Sequence, residues 1–273
     1  EVIDYVGGQK DLMKKVIRTV GQPVARFEED KLRILRALRF LSQLGFEIDR
    51  DTQEAMQLWK HKLDQVSMER VRDEWGKLLL GEHRLKALEL SDKLKIFSVL
   101  FPQWTFMPLQ YRSLLSDKAY EPSVLWAMWM LIHLKERQSI AEEGLRWKLS
   151  RDLIKDIIFC YDQMTHIREF ANRDAADFAI FMGTTRGKFA VKVYRNINRP
   201  QAERWKSKFK EASQYFVDGK LPKPVVNGDD LIQYGMQPGP MVSEMLHRIY
   251  YKQLKEGISH KEELMKILAE EEN

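Results

Sequence analysis

Apolar residues in this chain recur at three- and four-residue intervals over most of its length, with Gly and Pro punctuating the stretches. Few windows alternate with period two. A period near 3.6 buries one stripe of a helix, whereas period two would line one face of a strand. The pattern therefore predicts an all-α protein. Residues 9 to about 20 read as a first helix carrying Lys10, Lys14, Lys15 and Arg18, broken by Gly21-Gln-Pro23. A second helix runs from residue 28 to about Leu44 and stops at Gly45, a plausible C-terminal cap. Asp51-Thr52 opens a third, which ends near His61. Ser67 stands where it can cap a fourth, with Glu69 in its first turn favouring the dipole. That helix ends at Gly81, where a first domain boundary is expected.

At 273 residues the chain is long enough for two or more compact units. Its single cysteine, Cys160, excludes a disulfide framework and fits a reducing compartment, so a cytoplasmic location is expected. The apolar stretch Leu125-Trp-Ala-Met-Trp-Met-Leu-Ile132 is too short to span a bilayer and reads as a buried helix, so no membrane partner is expected. Trp126, Met128, Trp129 and Met130 within it read as core rather than as a stacking platform. The six histidines show no i,i+4 pairing, and none is followed by Asp. No metal site and no phosphohydrolase centre is predicted from them.

The segment Glu28-Glu-Asp-Lys-Leu-Arg-Ile-Leu-Arg-Ala-Leu-Arg-Phe40 carries the densest chemistry. On one helix, Glu29, Arg33 and Arg36 would share a narrow stripe with Asp30 beside it. Leu32, Ile34, Leu35, Leu38 and Leu41 would cover the opposite arc. A carboxylate accepts hydrogen bonds and a guanidinium donates them in a planar fork, so together they could match the edge of a nucleotide base. Spacing alone fits a solvated charged face with an i,i+4 pair, Glu29–Arg33, at least as well. The clearest basic stretch lies elsewhere. Arg186, Lys188, Lys192, Arg195, Arg199, Arg204, Lys206, Lys208 and Lys210 stand there against Glu203 and Glu211, with Tyr194 and Trp205 among them. Such a stretch suits contacts to an RNA backbone, or a solvated surface. The net charge of +5 permits nucleic-acid binding without establishing it.

Five segments together carry a resemblance. Asp4-Tyr-Val-Gly-Gly-Gln-Lys-Asp-Leu12 is followed by Val16-Ile-Arg-Thr-Val20 and then by Arg26-Phe-Glu-Glu-Asp30 with Arg33, Arg36 and Arg39-Phe40. Ser67-Met-Glu-Arg-Val-Arg-Asp-Glu74 comes next, and Asn227-Gly-Asp-Asp-Leu231 with Pro238-Gly-Pro240 lies near the C-terminus. This order resembles the bacterial class II tRNA nucleotidyltransferases and poly(A) polymerases. It is most specific over residues 4–46 and looser from about 110 to 220.

The resemblance implies an elongated, multi-domain helical array. Residues 1–8 would be the remnant of a head-domain strand and turn. Residues 9–81 would form a neck that recognises the base, 82–163 a body and 164–273 a tail that binds tRNA. Family members carry a head ahead of the residue matching Asp4, with metal-binding carboxylates of D-x-D type. The D-x-D triplet of this sequence, Asp49-Arg50-Asp51, stands well after Asp4 and does not match that head motif. The expectation is a neck–body–tail portion that is inert alone, with no catalytic residue and no metal ligand of its own. Mg²⁺ would belong to the head. Substrates would be CTP and ATP, and the partner would be the acceptor stem and elbow of tRNA.

By the same resemblance, Asp30 and Arg33 would read the base edge and Glu29 would hold Arg33. Arg36 is a candidate contact to triphosphate or RNA. Arg39 points to the apolar side, where an ion pair is expected, with Glu74 one partner. Lys14, Lys15, Arg186, Lys188, Lys192, Arg195 and Arg199 are the candidate RNA contacts. The product would be CCA, CC or A added to a tRNA 3′ end. Poly(A) synthesis, or a non-catalytic RNA-binding module, is the alternative.

Overall fold

The computed structural model describes residues 3–106, 120–165 and 173–271. It divides into two compact units, Glu1–Asp162 and Gln163–Asn273. The described residues are overwhelmingly helical, with one pair of two-residue strands.

In the first unit the elements run α1 (Gly8–Met13), β1 (Val16–Ile17), α2 (Pro23–Glu29), α3 (Arg33–Leu44), β2 (Glu47–Ile48) and α4 (Arg50–Trp59). A 3₁₀ turn (Lys60–Gln65) leads to α5 (Met68–Leu80), α6 (Arg84–Lys93), α7 (Ile96–Leu100), α8 (Pro122–His133), α9 (Arg137–Arg146) and α10 (Arg151–Thr165). Phe27, Leu35, Leu38, Leu41, Trp75, Leu78, Phe97, Phe101, Trp129 and Trp147 meet in one apolar core. That core runs across Gly81, because α3 packs on both α5 and α6. The approach there is close. The Ser42 hydroxyl donates to the Leu78 carbonyl at 2.5 Å, and a Cβ on Gly81 would overlap Ser42. Trp126, Met128, Trp129 and Met130 are buried, as core residues should be.

Two expectations are corrected. Residues 9 to 20 do not form one helix: α1 ends at Met13, and Lys15 takes a left-handed conformation (φ 55°). The chain then pairs β1 with β2 in parallel, the Glu47 N–H donating to the Lys15 carbonyl at 2.9 Å and the Asp49 N–H to the Ile17 carbonyl at 3.1 Å. The expected helix from residue 28 to 44 is two helices. Pro23 starts α2 at its first turn, where a missing N–H costs nothing. The helix ends at Glu29, and Asp30 is extended (φ −147°, ψ 104°). The C-terminal expectation holds, since Gly45 caps α3 in the left-handed region at φ 71°. Helix α4 starts one residue before Asp51, because Asp49 is the N-cap and accepts from the Thr52 N–H. Ser67 occupies the N-cap of α5, but its side chain makes no capping bond.

His133 ends α8 with its Nδ1–H donating to the Trp129 carbonyl at 2.7 Å, its ring stacked on Trp104 at 4.8 Å. Burial holds its pKa down at about 4, against an ordinary 6.5. A half-buried neutral imidazole must gain a charge as pH falls. Its contribution to stability is therefore complete above about pH 6.5 and is lost between there and about pH 4, roughly 3 kcal/mol in all. Urea unfolding from pH 7 to 4 should show this loss in the native chain. His133→Phe should remove that share of the pH dependence; an unchanged slope would mean the imidazole is not held neutral.

The second unit contains α11 (Ala175–Gly183), α12 (Thr185–Ile197), α13 (Arg199–Ser213), α14 (Gly228–Gln233), α15 (Pro240–Glu256) and α16 (Lys261–Glu271). Phe178, Val191, Tyr194 and Ala212 form one small core, and Val226, Leu231, Ile249, Ile258 and Leu264 another. Asn227 and Asp230 make a reciprocal capping box, each side chain taking the other's N–H at 3.1 and 2.9 Å. The Asn-Gly-Asp-Asp-Leu signature thus builds the start of α14. Buried Gln253 accepts from the Val225 N–H at 3.0 Å and donates to the Lys223 carbonyl at 2.8 Å, tying α15 to the segment before α14.

Candidate nucleotide-base recognition site

The break at Asp30 places Glu29 at the end of α2 and Arg33 at the start of α3, facing each other across the turn. Arg33 Nη1 donates to Glu29 Oε2 at 2.7 Å and to the Arg26 carbonyl at 2.9 Å. Arg26 Nη1 reaches both oxygens of Glu29, at 3.0 and 2.9 Å. Hydrogen bonds from Arg33 and then Arg26 hold the Glu29 carboxyl below the ordinary carboxylate range. Arg33 is therefore anchored through one nitrogen of its fork. Its side chain is about one-third exposed, which leaves the remaining edge able to meet a ligand.

Asp30 is pinned from two sides. One carboxylate oxygen accepts from the Leu32 N–H at 3.1 Å, an Asx turn that stops α2 and aligns α3. Arg70 Nη2, from α5, reaches both oxygens at 3.3 and 3.0 Å. The sequence predicts Glu29, Arg33 and Arg36 on one helical stripe with Asp30 beside it. The structure instead brings Glu29, Asp30 and Arg33 together across a kink, with Arg70 from a different helix. Arg70 was missed as a participant, since nothing local to residues 28–40 points to it.

Arg36 is half-exposed, 3.8 Å from Glu74. Arg39 meets the other oxygen of Glu74 at 2.9 Å, the ion pair expected from its apolar-side position. Glu74 is 5% exposed, so its charge needs these partners. Lys77 lies 3.9 Å from the same carboxylate. Part of the N-terminal motif is structural. Asp4 caps the Gly7-Gly8 turn, accepting from Gln9, Gly8 and Val6 N–H groups at 2.8 to 3.1 Å. Those bonds, the one from Gln9 foremost, lower its pKa.

Lys14 and Lys15 are exposed at the turn between α1 and β1. A groove of about 590 Å³ near this turn is lined by Val6, Leu12, Val16, Ile17, Phe40 and Leu44, and not by Glu29, Asp30 or Arg33. In the second unit Lys188, Lys192 and Arg195 fall within roughly 60° of one another on α12, at about 100° per residue, on the side away from buried Ala190, Val193 and Ile197. Arg186 is exposed on a different side of that helix. The Arg195 guanidinium lies 5.0 Å from the Phe209 ring centre. Arg199 opens α13, and its side chain lies outside the described residues.

Among the described residues no group of three or more His, Cys, Asp or Glu is placed to hold a metal ion. No helix among them is long and apolar enough to cross a membrane.

The chain is similar to known proteins over most of its length. A family model described as a probable RNA- and SrmB-binding site of polymerase A matches residues 45–107. Another, described as tRNA nucleotidyltransferase domain 2, matches residues 121–268. The CCA-adding enzyme of Anoxybacillus flavithermus is 32% identical over 97% of this chain and 66% of that protein. That of Bacillus pumilus is 40% identical over 58% of the chain and 40% of its own length. The chain thus spans about two thirds of the length of a curated relative that it matches almost throughout. Among solved structures, the Bacillus stearothermophilus CCA-adding enzyme in complex with CTP has a TM-score of 0.71 at 24% identity, covering 99% of this chain and 70% of that one. The Thermotoga maritima CCA-adding enzyme complexed with tRNA gives 0.68 at 23%, covering 98% and 67%. These two likenesses show the same fold.

Proposed function

The chain belongs to the class II CCA-adding enzyme family of tRNA nucleotidyltransferases, and on that premise we propose that it is the base-selecting and tRNA-binding part of a longer enzyme adding CCA, or part of it, to tRNA 3′ ends. The observation that carries this reading is the pair of pinned side chains at the α2–α3 turn. Asp30 presents an acceptor and Arg33 a set of donors, each fixed from behind. Cytosine and adenine offer an amino group for the carboxylate and ring or carbonyl acceptors for the guanidinium. Uracil and guanine reverse that polarity at key atoms and would leave the facing groups unpaired, which disfavours them.

CTP and ATP are the substrates on this reading, and the protein works in the cytoplasm. Residues 9–81 act as the neck, 82–163 as the body and 164–273 as the tail. Lys14, Lys15 and the α12 stripe of Lys188, Lys192 and Arg195 contact RNA backbone, with Arg36 near the triphosphate or primer. The part of the longer protein that this chain does not span supplies the Mg²⁺ and the chemical step. Exposed Val6, Leu12, Phe40 and Leu44 give that part an apolar surface to cover.

The test is to incubate the full-length protein with tRNA ending at its discriminator base and with labelled CTP and ATP. One to three added nucleotides of C or A are expected. Long A-only tails would replace this assignment by poly(A) synthesis, and no addition would leave an RNA-binding module.

A further inference from the structure

Resting on that reading, we infer that Arg70 is a positioning residue for base selection: it sets the orientation of the Asp30 carboxylate, although it comes from a different helix and lies outside the α2–α3 turn. Asp30 belongs to neither helix, so helical hydrogen bonding does not restrain its side chain. One bond, from the Leu32 N–H, reaches a single oxygen and would leave the carboxylate free to rotate about it. Arg70 Nη2 closes on both oxygens at 3.3 and 3.0 Å and removes that freedom. The turn is thereby symmetrical in its logic. Arg33 is held by Glu29 and a backbone carbonyl, and Asp30 by Arg70 and a backbone N–H. In each case some bonding capacity remains for a ligand, since a carboxylate has about four lone-pair directions.

As a surface ion pair alone, this contact would contribute little to stability. The Arg70 side chain is 51% exposed, and such pairs are commonly worth under about 1 kcal/mol. Helix α5 fixes Arg70 firmly all the same, because it buries Val71, Trp75 and Leu78 against the core. A solvent-side arginine on a rigid helix, aimed at a carboxylate that must point one way, is a device for accuracy.

The experiment compares Arg70→Gln, Arg70→Lys and Asp30→Ala with the parent full-length enzyme. It measures kcat/KM for CTP, ATP, UTP and GTP, tRNA binding and thermal melting. Arg70→Gln should cut discrimination of CTP over UTP by roughly tenfold, with tRNA affinity and melting nearly unchanged. Because one nitrogen makes both contacts, Arg70→Lys should restore most of the loss. If Arg70→Gln weakens all four nucleotides equally, Arg70 meets a shared phosphate or sugar and the positioning role is wrong. If it lowers melting with selectivity intact, the role is structural. Should Asp30→Ala itself leave selectivity intact, base reading by this turn fails, and the inference fails with it. Loss in Asp30→Ala with none in Arg70→Gln would overturn only the inference.

Discussion

Arg33→Ala in the full-length enzyme is expected to lower discrimination of CTP and ATP against UTP and GTP by about a hundredfold, while tRNA binding changes less than twofold. The magnitude follows from removing a donor edge that favours the right base and opposes the wrong one. The direction follows from how Arg33 is held. Its Nη1 is committed to Glu29 and the Arg26 carbonyl, so truncation removes the ligand-facing edge and leaves the turn itself closed by Asp30 and the Leu32 N–H. Comparison of kcat/KM across the four nucleotides, beside a tRNA-binding isotherm, checks both halves. Selectivity retained in the variant would refute base reading by this turn. Arg33→Lys should recover charge without the fork, and with it only part of the discrimination.

The largest loss of stability is expected from Trp75→Ala, about 4 kcal/mol, with a fall in melting temperature of the order of 10 °C for the first unit. Trp75 is fully buried, its ring 5.1 Å from that of Phe101, 5.8 Å from Trp129 and 6.5 Å from Phe97. These neighbours come from α7, the turn after it and α8, too rigidly packed to close over so large a void. The indole N–H has no hydrogen-bond partner among the described residues, so Trp75→Phe should cost much less than the alanine change. Chemical denaturation of the three proteins decides this. A loss below about 1 kcal/mol for alanine would mean the core collapses around the gap. Arg70 and Glu74 ride on the same helix, so the alanine variant should also lose nucleotide selectivity below its melting temperature.

Much of this was visible in the sequence because helices dominate and their buried stripes are local patterns. Gly45 announces the end of α3 by its own backbone freedom. Arg39–Glu74 was legible because a charge on an apolar face demands a partner. The turn at the site was not. Residues 28–44 contain no Gly or Pro, and their apolar period runs on without interruption. What stops α2 is the Asp30 side chain taking the Leu32 N–H, helped by an arginine that arrives from α5. The strands were hidden for a similar reason. Val16–Ile17 becomes a strand only by pairing with Glu47–Ile48, after Lys15 adopts a left-handed conformation that few non-glycine residues take. Such partners are remote in sequence and leave no periodic trace.

The kink at Asp30 also decides which genetic changes this region tolerates. In an uninterrupted helix an added residue would rotate all that follows by about 100°, and the buried stripe would be lost along with the charges. Here the two helices are independently anchored, α2 through Phe27 and α3 through Leu35, Leu38 and Leu41. A one-residue insertion between Asp30 and Arg33 would leave both anchors seated and be absorbed in the connection. The protein would keep its fold while Arg33 drew away from Glu29. Length variation at this single point is thus a route by which the lineage can change or lose its nucleotide preference without first losing the protein.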